Sequence, residues 1–226
     1  MNKKSNAELR QERIFEQYEE SEIVSDSTYN LVIGLTICAG FLLNFFVISY
    51  FAESLLEMSY MVSILLYLGL SFGGMAIAYK SKSAVVSFMG FLLLATGFSV
   101  ILAGIVYMYA PETVIAAIYV TLGATAVMML LSTAFPRFFL SLGKTLFFSL
   151  LAVIVVEIVM LIAGIIEPTA IDFLVALIFC GYIGFDWSRA QRYPKTINNA
   201  IDASVDIYVD IVNLFVRVLS ILGKRD

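Results

Sequence analysis

The sequence contains no histidine, only two cysteines and only four prolines in 226 residues. Without histidine the chain can build neither a histidine zinc site nor a histidine general base, which also excludes rhomboid-type serine proteolysis. Cys38 and Cys180 lie in separate apolar stretches, and we expect them to be small core residues rather than a disulfide. Basic patches with interleaved aromatic residues and metal-ligand spacings are also missing. We therefore expect no catalytic residue, no resident cofactor and no nucleic-acid partner.

Hydrophobic residues dominate the chain instead. They make up 61% of it, against about 45–50% in soluble proteins. The stretches of about 20 residues can each cross a hydrocarbon core of ~30 Å, and a helix satisfies its own backbone groups in lipid. No alternating strands of ~10 residues, typical of a membrane barrel, are found. The sequence predicts an all-α integral membrane protein with seven helices. The stretches are Tyr29–Phe51, Met58–Tyr79, Ala84–Tyr109, Thr113–Ala134, Thr145–Ile166, Ile171–Trp187 and Ala203–Leu222.

The chain divides into three regions by composition. Residues 1–28 form a mixed-charge, mainly acidic tail, residues 29–222 the membrane domain, and residues 223–226 a short C-terminal tail. The first tail carries seven acidic and four basic side chains, including Arg10 and Arg13. We expect this tail to be solvated, with some helix.

Small residues and loop charges indicate how the helices of the membrane domain pack and how the domain is oriented. Gly69 and Gly73 form a G-x-x-x-G motif that permits close helix approach, most simply within the chain. Lys and Arg occur in the tail and in every second loop, and they are absent from the connections between those loops. By the positive-inside rule the N-terminus is cytoplasmic, at the plasma membrane if the chain is bacterial. The seventh segment leaves two alternatives open, a seventh crossing or a re-entrant segment.

Acidic residues in the last apolar stretch are the strongest functional signal. A carboxylate at membrane depth costs roughly 3 kcal/mol or more, so it marks a functional group with a partner. Asp202, Asp206 and Asp210 are spaced i, i+4, i+8 and share one helical face. Asn213 and Arg217 continue that face, which favours an interior helix over one lying in the membrane interface. The opposite positions are Val205, Val209, Val212 and Val216.

Two further acids lie in neighbouring stretches. Asp186 ends the sixth stretch and is the candidate partner of the last-stretch acids; alternatively it is a solvated helix-end residue paired with Arg189. Glu157 lies alone near the middle of the fifth stretch, which favours a buried protonated carboxyl or a proton or cation site. Two carboxylates in contact cannot both stay ionised, so a facing pair would share one proton.

These residues resemble a known family. The last stretch resembles the last-helix signature of the Bax inhibitor-1 family, the transmembrane Bax inhibitor motif proteins, which reads about as L-x-L-Y-L-D-x-x-N-L-F. The run Gly-Tyr-Ile-Gly-Phe-Asp, residues 181–186, is similar to the family's ending of helix six. The matching residues of the last stretch are Tyr208, Asp210, Asn213, Leu214 and Phe215, with Asp206 at an optional acidic position.

The resemblance implies six helices wrapped around a central seventh and a pH-sensitive calcium leak. Its gate would be the pair Asp186 and Asp210, supported by Asp206, Asn213 and Arg217. Lys80 stands where relatives often carry an arginine that pairs with the helix-six aspartate.

Two gates of opposite pH dependence follow. A direct Asp186–Asp210 pair closes with one shared proton and opens on deprotonation, after which Lys80 or Arg189 can take one carboxylate. A salt-bridge latch through Lys80 would open on protonation instead. The motif match favours the direct pair. Asp186, Asp206 and Asp210 could contact a permeant Ca²⁺ transiently, because hard cations take oxygen ligands.

Two other functions are alternatives to a calcium leak, an intramembrane protease and a non-conducting regulator. An intramembrane aspartyl protease also needs two carboxylates in lipid, but its Gly-x-Gly-Asp and Pro-Ala-Leu motifs are absent, so no enzyme is expected. A non-conducting regulator of other membrane proteins, for example of a membrane protease, is the stronger alternative. Expected partners are the lipid bilayer, cations and protons, and in the second case a membrane protein.

The loop charges give a topology that can be tested. In a cysteine-free background, single cysteines at Ser83 and Ser141 should react with an impermeant maleimide only from the cytoplasm. A cysteine at Glu112 should react only from outside, because its connection carries no Lys or Arg. Labelling of position 112 from the cytoplasm would overturn the topology.

Overall fold

The fold is helical throughout the part of the chain that the computed structural model describes, residues 5–15, 22–164 and 169–223. No strand occurs in these ranges, which confirms the all-α prediction. The predicted count of seven helices becomes nine in the described chain, because a short helix forms in the tail and another in an inner loop. The helices are α1 (Asn6–Ile14), α2 (Asp26–Leu56), α3 (Tyr60–Lys80), α4 (Ala84–Val106), α5 (Pro111–Ala134), α6 (Pro136–Ser141), α7 (Gly143–Ile162), α8 (Thr169–Ala190) and α9 (Ile197–Leu222).

Six of these helices are long and apolar enough to cross a membrane, namely α2, α3, α4, α5, α7 and α8. They correspond to the first six predicted stretches, so the prediction of a multi-pass membrane protein is confirmed. The end of the fifth stretch, at Ile166, lies outside the described residues. The seventh stretch forms α9, which has 26 residues and starts at Ile197 rather than Ala203. It is not among the six, since it carries Asp202, Asp206, Asp210 and Arg217.

Burial separates α9 from the apolar helices. In the most apolar 18-residue stretches of α5 and α7, only 17% and 11% of the residues are buried. Most residues of α9 are buried, and only Ile197 and Leu222 at its ends are exposed. Apolar side chains are stable against lipid, whereas charged side chains are not. Protein therefore covers most of α9, including the buried carboxylates of Asp202 and Asp210.

By packing, the chain divides into two units, and α9 contributes to both. Unit 1 comprises Met1–Tyr107 and Arg192–Asp206, and unit 2 comprises Met108–Gln191 and Ile207–Asp226.

Close contact between α3 and α4 organises unit 1. A Cβ on Gly74 would lie 2.5 Å from the carbonyl oxygen of Gly90, and a Cβ on Gly90 would lie 2.6 Å from the amide nitrogen of Ala78. The two backbones therefore meet where neither carries a side chain. The sequence pointed to packing within the chain at Gly69 and Gly73 instead. That prediction is wrong for the described chain, because no atom outside their own helix lies within 4 Å of a Cβ at either position.

In unit 2, α8 packs against α5, α6 and α7. Glycines again allow the contact, since the Phe139 ring lies against Gly184 and the Phe185 ring against Gly143. Trp187 donates its indole N–H to the Thr133 hydroxyl of α5 at 2.9 Å. These contacts fix the end of α8 that carries Asp186.

The tail segment α1 is packed on one side of its C-terminal end. Ser5 caps α1, with a Ser5–Glu8 capping box. At its other end, Arg13 and Ile14 are buried, with 7% and 2% of their surface exposed, whereas Glu8, Gln11 and Glu12 are exposed. The prediction of a solvated tail is therefore wrong for Arg13 and Ile14, and the prediction of some helix is confirmed. Met1–Lys4 and Glu16–Ser21 of the same tail lie outside the described residues.

The α3–α4 contact predicts an asymmetric response to small substitutions. Gly90→Ala should lower the free energy of unfolding by about 1–3 kcal/mol, because the added methyl meets backbone atoms that cannot rotate away. Gly69→Ala is the matched control and should cause no loss, with a gain of up to about 1 kcal/mol from helix propensity. Unfolding by SDS in mixed micelles measures both. Equal effects would contradict the close contact at Gly90.

Candidate functional site

The candidate site is built along α9, whose start is fixed by polar contacts. Pro194 precedes the helix. The Thr196 hydroxyl accepts a hydrogen bond from the backbone N–H of Asn199 at 3.2 Å, as the side chain of an N-cap residue does. Asn198 accepts from the Ser87 hydroxyl at 2.7 Å, which ties α9 to α4. Because α9 is helical from Ile197 onward, its aspartates at i, i+4 and i+8 share one face.

The first two aspartates of this face pair with arginines of α1. Arg13 binds Asp202, and the two side chains are 6% and 0% exposed. Arg10 binds Asp206 with both terminal nitrogens, at 2.6 and 3.4 Å. Each buried carboxylate is thus neutralised by a guanidinium, whose planar fork suits a carboxylate.

A tyrosine completes the contact. The Tyr79 hydroxyl donates to Asp206 at 2.5 Å, and the Arg10 guanidinium lies 3.5 Å from the centre of the Tyr79 ring. Burial opposes the charge on Arg10, but the attraction of Asp206 and Tyr79 together with the hydrogen bond to Asp206 outweighs it, so the pKa of Arg10 is raised above its ordinary value. Arg10 therefore stays charged at any relevant pH.

Sequence reasoning missed these partners. It sought a partner for the last-stretch acids among other acids and treated the tail as solvent-exposed. The usable signal was the i, i+3 spacing of Arg10 and Arg13, which places two cations on one side of a short helix. The distance between the two arginines along α1 is close to the distance between Asp202 and Asp206 along α9. The two ion pairs can therefore form side by side.

A second charged cluster lies in unit 2. Arg217 binds Glu157 of α7 at 2.6 Å and Asp172 of α8 at 3.0 Å, and the Ser220 hydroxyl donates to Asp172 at 2.7 Å. The prediction that Glu157 is isolated is wrong, since its carboxylate has a cationic partner. Arg217 joins three helices of this unit. Its role follows from desolvation, because a charge at membrane depth needs an opposite charge beside it.

The predicted gating pair also lies in unit 2. Asp186 and Asp210 are both buried, with 8% and 6% of their surface exposed. Both carboxylates lie within electrostatic range of Tyr182, which lies one turn before Asp186 on α8. Asp186 also binds Arg189 of the same helix at 2.7 Å, the alternative pairing that its position suggested.

The remaining predicted residues occupy simpler positions. Asn213 donates to the Val209 carbonyl of its own helix at 2.8 Å, and Lys80 is exposed at the end of α3. Asp206 is engaged by Arg10 of α1. Within the described residues, no group of three or more acidic, cysteine or histidine side chains is assembled that could hold a metal ion.

These features define a class of protein, a multi-pass helical membrane protein whose buried charges are held in arginine–carboxylate clusters. Comparison with known families narrows the class. The family model described as inhibitor of apoptosis-promoting Bax1 matches residues 22–226. The chain belongs to the Bax inhibitor family, as its last-helix signature indicated.

Individual relatives agree with this assignment. The chain is 30% identical over 120 residues to the Bax inhibitor 1 of Schizosaccharomyces pombe, covering 51% of this chain and 44% of that protein. It is 42% identical over 79 residues to an uncharacterized membrane protein of Vibrio cholerae, covering 34% of each chain. A longer match, 26% identical over 211 residues, covers 88% of this chain and 91% of an uncharacterized membrane protein of Streptococcus pyogenes serotype M3. The matches to the first two proteins thus span less than half of their length.

The Arg217 cluster predicts a pH-dependent stability change. Arg217→Gln should lower the free energy of unfolding by about 2 kcal/mol or more at neutral pH, because Glu157 and Asp172 lose their cation. The difference from wild type should shrink at low pH, where protonated carboxyls need no cation. SDS-induced unfolding across pH measures it. Arg137→Gln removes an exposed arginine and should change stability by no more than about 0.5 kcal/mol. Equal losses in the two variants would refute the assignment.

Proposed function

We propose that the protein is a pH-sensitive cation leak, with Ca²⁺ as its candidate ion and Asp186 and Asp210 as its gate. The observation that carries this proposal is that unit 2 buries two carboxylates from different helices, Asp186 of α8 and Asp210 of α9, both within electrostatic range of Tyr182. The family assignment supports it, because Asp186 and Asp210 occupy the positions that the resemblance marks as the gate.

The proposed architecture has six membrane-crossing helices surrounding α9. The burial of α9 supports it, as does the ability of six other helices to cross a membrane. A polar helix with lipid-facing helices around it gives a cation a path lined by oxygen atoms. We place the N-terminus in the cytoplasm, following the distribution of Lys and Arg.

The gate operates through one shared proton. With that proton present, Asp186 and Asp210 bind each other and hold α8 against α9. When the proton leaves at higher pH, two negative charges repel each other in a medium of low dielectric constant, and the helices separate. The proposed leak therefore increases as pH rises.

The partner of Asp186 favours this direction of the switch. Arg189 lies on α8, three residues after Asp186, so their ion pair cannot tie two helices together. It can, however, stabilise Asp186 once the shared proton has left. A latch through Lys80 would give the opposite pH dependence, and Lys80 is exposed.

The cation would be bound only transiently. Ca²⁺ takes six to eight oxygen ligands, and tight sites supply several carboxylates at once. The described chain gathers no such set. Weak coordination by one or two carboxylates suits a leak, because an ion that binds tightly does not leave.

The proposal is tested by Ca²⁺ flux into dye-loaded liposomes that contain the purified protein. Wild type should show a flux that rises between pH 6 and pH 8. Asp210→Asn and Asp186→Asn should each flatten this pH dependence, because one acceptor and one neutral donor remain at every pH. Glu112→Gln, the same chemical change at an exposed helix start, should behave as wild type.

Two outcomes would count against the proposal. An unchanged pH response in Asp186→Asn would remove the carboxylate pair from the mechanism. The absence of flux in folded wild type at every pH would overturn the leak and favour the non-conducting regulator.

A further inference from the structure

The helix α1 lies ahead of the residues that the family model matches, which begin at residue 22. It nevertheless supplies guanidinium groups to two aspartates of α9, the buried Asp202 and the half-buried Asp206. This segment therefore neutralises charges of the membrane domain from outside the matched residues.

The docking contact is specific. Besides binding Asp202, Arg13 donates from its Nε to the Tyr79 carbonyl of α3 at 2.8 Å. The side-chain amide of Asn199 donates to the backbone carbonyl of Ile14 at 3.1 Å, and Ile14 is 2% exposed. Polar and apolar contacts thus hold the C-terminal end of α1 against both α3 and α9.

Removal of α1 would change the charge of this site. Asp202 and Asp206 lie one turn apart on the same face of α9, and α1 supplies a guanidinium to each. The Tyr79 hydroxyl, which also binds Asp206, is neutral. Without α1, the two adjacent carboxylates would lose these guanidinium groups and would attract cations, as the acidic rings of cation channels do.

We propose that α1 is an autoinhibitory segment, whose Arg10 and Arg13 occupy the carboxylates of Asp206 and Asp202 and thereby exclude a permeant cation from them. This inference rests on the proposed cation leak and adds a second control to it. The shared proton of Asp186 and Asp210 sets the pH response, and the docking of α1 sets how much of the leak is available.

Because α1 is short, we expect the whole helix to dock and undock as one unit. A helix of nine residues is only marginally stable in water, even with its Ser5–Glu8 capping box. Most of its stability therefore comes from the contacts with α3 and α9. Loss of one ion pair should release the other as well, so Arg10 and Arg13 act together.

The docking of α1 can be measured, without any transport assay, as the distance between two spin labels. Spin labels at Gln11 of α1 and at Ser83, both exposed, are introduced into full-length protein with Cys38 and Cys180 replaced by alanine. Wild type and the exposed-site control Arg137→Gln should give one narrow distance distribution. Arg10→Gln should broaden and lengthen it, and Arg10→Lys should lie between, because lysine keeps the charge without the fork.

Arg10 is the better first target, because it is 17% exposed and its substitution directly removes only the less buried of the two ion pairs. Arg13→Gln alone would strand a fully buried carboxylate. It is therefore tested together with Asp202→Asn, and size-exclusion chromatography confirms that each variant is folded. An unchanged distance distribution in Arg10→Gln would overturn the proposal.

Transport then tests inhibition. In the same liposomes at constant pH, Arg10→Gln should raise Ca²⁺ flux about tenfold, the effect of about 1.4 kcal/mol on the docking equilibrium. Arg137→Gln should match wild type. If the distance lengthens while flux stays at the wild-type level, α1 does not inhibit. If neither wild type nor Arg10→Gln conducts although α1 undocks, the leak itself is wrong, and the inhibitory role is rejected with it.

Discussion

The desolvation of charge governs this molecule. A carboxylate or guanidinium that leaves water for a membrane interior loses several kcal/mol of solvation, and only an opposite charge with good geometry compensates. The chain meets this requirement separately in each unit. In unit 1 the pairs are Arg10–Asp206 and Arg13–Asp202, and in unit 2 Arg217 serves Glu157 and Asp172. Each cluster joins helices that are far apart in the sequence, so charge pairing is one of the contacts that decide which helices meet.

The distribution of polarity is the reverse of that in a soluble bundle. The most apolar windows of α5 and α7 are mostly unburied, and Leu161 and Ile162 are 80% and 81% exposed. The charged helix α9 is buried on both its aspartate face and its valine face, with Val205 and Val212 at 0% and 1%. Lipid is as apolar as leucine, so burying leucine brings little gain, whereas burying a charge away from lipid brings a large one.

Two levels of control emerge from the proposals. Asp186 and Asp210 lie in unit 2 and would respond to pH through a shared proton. Asp202 and Asp206 lie in unit 1 and respond to the presence of α1, whose arginines remain charged at every relevant pH. All but Asp186 belong to one helix, α9. The common chemistry is competition for a carboxylate, by a proton in one case and by a guanidinium in the other.

The sequence by itself determined the membrane class, the first six spans and the family, because long apolar runs and a local last-helix signature are properties of consecutive residues. It also placed the aspartates on one helical face, since register follows from spacing alone. Only the tertiary structure decided which charges meet. Arg10 is 196 residues from Asp206, and Arg217 is 60 from Glu157, so no local pattern links them. It likewise moved the close helix contact from Gly69 and Gly73 to Gly74 and Gly90, because which glycine meets another backbone depends on how the two helices cross.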